Sequence, residues 1–523
     1  MSKLITGSGV TRRGLLQGAA AGSLLIGAGV RPGFAEDNTP KQGGTFRVAK
    51  GHGSTSDSHD PGQWENNFMY ALGFTAYDFL TEVLPDGTLG PELAEEWEPT
   101  PDAKTWTFKI RKATFHDGSP VRASDVAASI NHHRGEGSQS AAKPIVEPIE
   151  NIEVQGDDVV IFTLKAGNAD FPFIVSDYHL PISKADEDGK IDWTKMIGSG
   201  CYKVDNFEPG VRADFSRYDD NWKEDRGWFD AIEMLCIIDP IARQNAMMTG
   251  AVDAIDRVDV QTIDLLERNQ NLKIITLEGT QHFTFPILCD AEPFTDPNVR
   301  NAVKWAVNRQ EMVDKILGGY GVPGNDLPIG RNQLFYNDEL PQREFDGDKA
   351  KWHLKEAGLD SLDIKLYSAD VAFAGAVDAA QLFAASAKDA GINIEVERAA
   401  DDGYWANIWT VKPFTACYWA GRPVVDQMFS TAYECGAPWN DTNWCNDRFD
   451  ELLLEARAEL DEDKRREMYF EMQEILYEDG GLVAPMFASY VDAVSTKVGH
   501  PEEMASNWDM DGERWAERWW FKD

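Results

Sequence analysis

Between Gly44 and Ala49 polar and apolar residues alternate, and Trp106-Thr107-Phe108-Lys109-Ile110 repeats the alternation with a period of two. Both stretches are predicted to be strands with one buried face. The period then lengthens. Ser124 offers an N-cap, and Val126, Ala127 and Ile130 behind it fall on one side of a helix. Strand-like runs return at 159–164 and 232–238, and a helical pattern covers 241–249 until Gly250 stops it. In the second half the two periods alternate. Asp296-Pro297-Asn298 opens a helix with Val299, Ala302, Val303 and Ala306 at helical spacing, and 310–317 resumes it after a break at Asn308. A helix at 349–357, a strand at 364–367, a helix at 376–390 and a strand at 392–396 follow. Strand, helix, strand predicts a parallel sheet with crossover helices. Two long amphipathic helices, 448–460 and 463–477, come next, and Ala484-Pro485-Met486-Phe487 returns the chain toward strand before a Trp-rich tail.

The first residues add a destination. Thr11-Arg12-Arg13-Gly14-Leu15-Leu16-Gln17 precedes an apolar, Gly- and Ala-rich run that ends near Val30, and Gly33-Phe34-Ala35 has the small-x-small form that a signal peptidase cleaves after. This is the pattern of a twin-arginine export signal, with the mature chain starting near Glu36. The periplasm is the expected compartment. No cysteine precedes Cys201, so a lipid-modified N-terminal cysteine is excluded and the product is expected to be soluble, not membrane-anchored. The 523-residue chain, about 488 residues after the signal, needs at least two lobes. No repeat or low-complexity linker separates them, so crossing strands rather than a flexible tether are expected to join them.

Charge narrows the partners. The formal net charge is −38, and loss of Lys3, Arg12, Arg13 and Arg31 with the signal makes it more negative. Nucleic acid is excluded as a partner, because phosphate backbones need a basic face. The 17 Trp exceed what core packing usually asks for and hint at a pocket walled by rings. All six cysteines lie in the exported part, where disulfides form, and they allow about 15 connectivities. Cys435 and Cys445 are the favoured pair, since the intervening Gly436-Ala437-Pro438-Trp439-Asn440-Asp441 reads as a loop. Cys201 with Cys236 is the next expectation, and Cys289 with Cys417 is what remains. No Cys-x-x-Cys occurs, and His132-His133 sits on a helix predicted to face solvent, so neither a metal nor another cofactor is expected.

A secreted hydrolase is the rival class. Neither Gly-x-Ser-x-Gly nor His-Glu-x-x-His is present, and a single Ser-x-x-Lys, Ser140 to Lys143, stands without companion motifs. No catalytic residue is assigned.

Several stretches resemble the extracellular solute-binding family that serves dipeptide, oligopeptide and nickel ABC importers. These are 93–97, 105–111 and the specific run Phe115-His116-Asp117-Gly118-Ser119-Pro120-Val121-Arg122-Ala123-Ser124-Asp125-Val126, then 197–204, 218–222 and 296–309. Matches to the family are spread from about Gly44 to Ser495. The resemblance implies an α/β, two-lobed clamp of the periplasmic-binding-protein type, with mixed sheets and crossing hinge strands near 281–289 and 485–495. Its expected division is a signal at 1–35, a larger lobe from 36–285 plus 490–523, and a second lobe at 286–489. It implies a monomer that encloses a small-molecule ligand and delivers it to ABC importer permease subunits, with closure as a population shift rather than chemistry. A peptide-binding protein with ordinary peptide ligands is the alternative.

One departure from the family bears on the ligand. In Tyr418-Trp419-Ala420-Gly421-Arg422-Pro423, Arg422 stands where peptide-binding relatives carry an Asp that pairs with the ligand's α-amino group. A guanidinium there suits a carboxylate or phosphate and repels an ammonium. The competing reading shifts the loop and pairs Arg422 with Asp426 or a surface acid. Trp419, Tyr418 and Gly421 flank it, His282 and Phe283 lie on a presumed crossing strand, and Trp64 and Tyr70 follow Asp60-Pro61. Together these form the candidate ligand-binding set, with His282 able to meet an anion when protonated.

Overall fold

The computed structural model describes residues 39–522, so the export signal and its cleavage site lie outside the described residues. Among the described residues no helix is long and apolar enough to cross a membrane.

Alternation builds the sheets. Thr45–Lys50 buries Phe46 and Val48 and pairs in parallel with Ala231–Cys236 and Ala254–Ile255. Tyr202–Glu208 and Arg212–Arg217 make an antiparallel hairpin at the outer edge. It turns at Gly210, where φ is +69° and a Cβ would meet Thr55 N at 2.6 Å, so glycine is required on both counts. Two long antiparallel strands, Leu272–Thr284 and Met486–Ser495, lie side by side toward the opposite edge of this sheet. Their register breaks between Glu278 and His282. On one side of the break Leu272 to Glu278 faces Ser489 to Ser495; on the other, His282 to Thr284 pairs with Trp419 to Cys417.

The first crossing strand therefore begins earlier than the resemblance suggested and stops at Thr284. Pro286 has no N–H to continue the ladder, and the amides of Phe285 and Ile287 turn instead to the carbonyls of Val483 and Gly481.

Separate cores lie on the two sides of the crossing strands. One gathers Phe46, Trp64, Phe68, Tyr77, Tyr202 and Phe229 with Trp515 and Trp519 from the tail. Beside it, an antiparallel sheet of Ala94–Pro99, Thr105–Ile110, Val159–Leu164 and Ile149–Gln155 packs under the helix Ala123–His132. On the other side, Pro297–Trp305, Arg309–Ile316, Gly347–Glu356 and Ala376–Asp389 pack in one core with the parallel pair Leu362–Ser368 and Ile392–Arg398. Val425–Ala432, Asp447–Ala458 and Glu462–Asp479 form a further helical layer. This is a two-lobed α/β architecture with mixed sheets.

Three local expectations are corrected. Ser124 lies inside its helix; Arg122 is the N-cap residue, and the Asp125 carboxylate accepts from its backbone N–H at 2.9 Å. The His132-His133 pair does not face solvent: His133 is fully buried against Ser140 Oγ at 2.7 Å, and His132 bonds to Asp60 at 2.7 Å. Cys201 and Cys236 are free thiols, as are Cys289 and Cys417. The reason for the first two is topological. Cys201 sits where its carbonyl accepts from Tyr218 N, and Cys236 where its amide donates to Val211 O, so they flank opposite ends of the strand Arg212–Arg217. Disulfide bonding needs Cα atoms within about 7 Å. Cys435 and Cys445 are bridged.

Candidate functional site

A cavity of about 270 Å³ opens between the lobes. Phe74, Tyr178 and Trp508 line it from the lobe of the tail, and Gln333, Gly421 and Arg422 from the other. The first wall is aromatic in depth, since the Tyr178 ring packs on Tyr70 with centroids 3.7 Å apart and Trp508 lies 5.6 Å from Tyr178. Burial pushes the Tyr178 phenol far above its ordinary range, so it stays a neutral hydrogen-bonding group.

The position of Arg422 follows from the chain before it. The short strand Cys417–Trp419 adds to the crossing strand, with Trp419 opposite His282. Gly421 then lies so close to that strand that a Cβ would fall 1.9 Å from Thr280 Oγ1, which leaves room for glycine alone. The Arg422 carbonyl accepts from Gln333 Nε2 at 2.8 Å, and its guanidinium carbon stands 5.8 Å over the Trp419 ring. Trp419 in turn donates from Nε1 to Asp441 at 3.1 Å, and Asp441 sits within the loop closed by Cys435 and Cys445. The disulfide loop thus holds the indole that supports the arginine.

The guanidinium itself has no acid. Its hydrogen bonds go to the carbonyls of Ala420, at 3.1 Å, and Gly421, at 3.4 Å, and among the described residues no carboxylate pairs with it. Asp426, the partner considered from sequence, bonds to Arg457 at 3.0 Å. Burial lowers the pKa of Arg422 from its ordinary value, the direction expected of a cation held out of water without a counter-ion. The arrangement offers a fork of donors to an incoming anion.

Arg514 and Arg518 also line the cavity, but both are neutralised. Arg514 bonds to Glu92 at 2.9 Å and Glu517 at 3.1 Å, and Arg518 to Glu82 at 2.6 Å and Asp511 at 2.8 Å. Below them the oxygens of Asp78, Glu92 and Glu517 come close enough together to hold a cation. Lys223 Nζ already occupies that place, at 2.8, 2.8 and 2.5 Å from the three acids. Although burial alone would raise it, Lys223, Arg514 and Arg226 hold the Glu517 carboxyl down at about 2. The cluster is a closed ion network in which an ammonium stands where a metal would.

Of the candidate residues, Arg422 and Gly421 line the cavity and Tyr70 lies directly behind its aromatic wall. Trp419 supports from beneath. Tyr418 points the other way on its strand, 41% exposed, toward Trp405. His282 is fully buried with its ring stacked on Phe487, and burial holds its pKa at about 4, so it is neutral at ordinary pH and sits outside the lining. Phe283 stacks on Phe373, with centroids 4.4 Å apart, in the core of its lobe. Trp64 is a core residue whose Nε1 bonds to Ser58 O at 3.0 Å. Sequence reasoning missed Tyr178, Trp508 and Gln333; the surplus of Trp in the tail was the available signal for one of them.

The Ser-x-x-Lys stretch forms no dyad. Ser140 Oγ bonds to His133 Nδ1 and accepts from Ala142 N, while Lys143 Nζ donates to Glu136 O at 3.1 Å.

Residues 88–440 match the profile of a family described as bacterial extracellular solute-binding proteins, family 5. The dipeptide-binding protein of Escherichia coli K12 is 25% identical over 443 residues, which cover 76% of this chain and 79% of that protein. Among solved structures, the periplasmic binding protein AgaA of A. tumefaciens R10 in complex with agropinic acid superposes with a TM-score of 0.69 at 22% identity, covering 91% of this chain and 99% of the other. HbpA2 of Haemophilus parasuis superposes with a TM-score of 0.79 at 20% identity, covering 87% and 96%.

Proposed function

From the premise that this chain belongs to the bacterial extracellular solute-binding proteins of family 5, we propose that it captures a small solute bearing an anionic group between its lobes. It passes that solute, unaltered, to the permease subunits of an ABC importer. The observation that carries the reading is Arg422: half-buried, aimed at the interlobe cavity and without an acidic partner among the described residues. A carboxylate or phosphate entering there exchanges water for a guanidinium fork already fixed by Gly421 and Trp419, so little ordering remains to be done on binding. A solute touching Arg422 on one lobe and the Tyr178 and Trp508 wall on the other favours the closed arrangement over the open one.

In the same reading the twin-arginine signal sends the chain to the periplasm, where it works as a soluble monomer with no resident metal or cofactor. The lobes divide at the crossing strands, 36–285 with 490–523 against 286–489. The similarity to the dipeptide-binding protein of Escherichia coli favours a second reading, an ordinary peptide whose carboxylate rather than amine meets Arg422. Mass spectrometry of the solute that co-purifies tests both. An acid recovered intact supports the first reading, a set of peptides the second, and a cationic or neutral solute overturns the anion assignment.

A further inference from the structure

The cleft does not end at the cavity that holds Arg422. A second chamber of about 520 Å³ adjoins it, and Ile145, Phe173, Asp177, Pro423 and Gln427 line both. Its far wall lies where the two lobes touch. Ala169 N donates to Arg457 O at 2.7 Å, and Asp170 forms a buried ion pair with Arg465 at 2.6 Å. Of the other charges at its border, Lys165 is answered by Glu147 at 2.6 Å, Arg457 by Asp426 at 3.0 Å and Asp177 by His179 at 2.7 Å, while Glu434 also lines it. What these pairs leave facing the space is largely apolar: Ile145, Phe173, Ile174 and Val424 are each only half-buried. Apolar surface between two lobes gains from being covered, and a tail that covers it touches both lobes at once.

We propose that the ligand is an amphiphilic acid, whose anionic head meets Arg422 and whose apolar tail of several carbons runs past Phe173 and Gln427 into the second chamber. The proposal rests on the anion reading of Arg422 and deepens it to a substrate class in which a carboxylate is joined to an acyl or alkyl chain. The shared wall carries it: five residues line both spaces, and a small acid would fill the first and leave the apolar walls of the second wet.

The test is a titration series on the full mature protein with N-acetyl-, N-butyryl-, N-hexanoyl- and N-octanoylglycine, each matched by its neutral N-acylglycinamide. Affinity should rise with chain length, by up to about fourfold for each methylene fully covered, and each acid should outbind its amide. Ser430→Phe, at a position that lines only the second chamber, should abolish the chain-length dependence while leaving N-acetylglycine binding unchanged. Ile174→Asn, also confined to that chamber, should flatten the slope without filling the space. A flat series in the wild type, with acids still above amides, overturns the tail and leaves Arg422 as an anion site. Acids equal to amides overturn the anion reading itself. Binding by no member overturns the proposed class, and the solute that co-purifies then decides on Arg422 independently.

Discussion

Arg514 and Arg422 line one cavity from opposite lobes, and their surroundings differ. Arg514 is enclosed by Glu92, Glu517 and Glu82, whereas Arg422 finds only backbone carbonyls and an indole face. The same side chain is therefore a structural counter-ion on one wall and an unspent donor on the other. Arg514 is fully buried and Arg422 half-buried, but the sharper difference is the protein acid that only Arg514 meets. A buried charge without a partner is expensive to keep, so its persistence at a cavity wall points to a partner that arrives from outside.

The comparison breaks most visibly if the paired arginine is removed. Arg514→Met leaves three buried carboxylates short of a cation and should cost about 3–5 kcal/mol of unfolding free energy, measured by denaturant titration. A loss below about 1 kcal/mol would mean that the network rearranges around Lys223 and Arg226. Arg422→Ala should show the opposite profile. It removes a charge that the fold does not pair, so folding stability should hold or rise, while affinity for a bound acid falls by about 2–5 kcal/mol in calorimetry. Unchanged affinity would reduce Arg422 to a surface-like cation.

Smaller effects sharpen the account of how Arg422 is held. Replacing Cys435 and Cys445 together by Ser releases the loop that carries Asp441, and the chain-entropy argument gives about 2–3 kcal/mol of lost stability. Affinity should fall as well, because Trp419 loses its fixed acceptor. Intact affinity in the double variant would separate the loop from the site. Asp441 adds a pH signature. Burial pushes its carboxyl up to about 6, with the Trp409 and Trp419 indole N–H groups opposing the shift. The folded pKa then lies above the unfolded one, so between about pH 4 and 6 the folded state binds the extra proton. Stability from this group rises as pH falls through that window, and the full penalty of ionisation stands above it. Asp441→Asn should remove this slope, on the order of 1–3 kcal/mol between the ends of the window. Melting curves of both proteins across that range would show it, and parallel profiles would contradict it.

Much of the framework was legible because its causes are local. Asp296 caps its helix by accepting from Asn298 N at 2.8 Å, as the Asp-Pro-Asn run implied, and the alternation of Trp106 to Ile110 lies in a strand with Trp106, Phe108 and Ile110 buried. The strand pair Leu362–Ser368 and Ile392–Arg398 is parallel, as strand, helix, strand required. Arg422 stood out because a local motif, Trp419 to Pro423, departed from a familiar one. The Cys435–Cys445 loop was readable for the same reason: both cysteines flank one short turn-rich stretch.

What the tertiary structure alone decided depends on contacts between distant segments. Glu92, the partner that neutralises Arg514, is 422 positions away, and Glu82 stands 436 positions from Arg518. No periodicity or spacing predicts such pairings, so sequence could not tell a satisfied arginine from a lone one. His282 and Phe283 illustrate the same limit: both lie on the crossing strand as expected, but the core packed against each face decides that neither reaches the cavity. The chain by itself determined which segments become strands and helices and that an arginine occupies a loop beside a tryptophan, because those follow from nearest neighbours along the backbone. Only folding decided which charges meet, and it left Arg422 without an acid because the opposite wall sets Tyr178 and Trp508 there and turns Asp177 to His179.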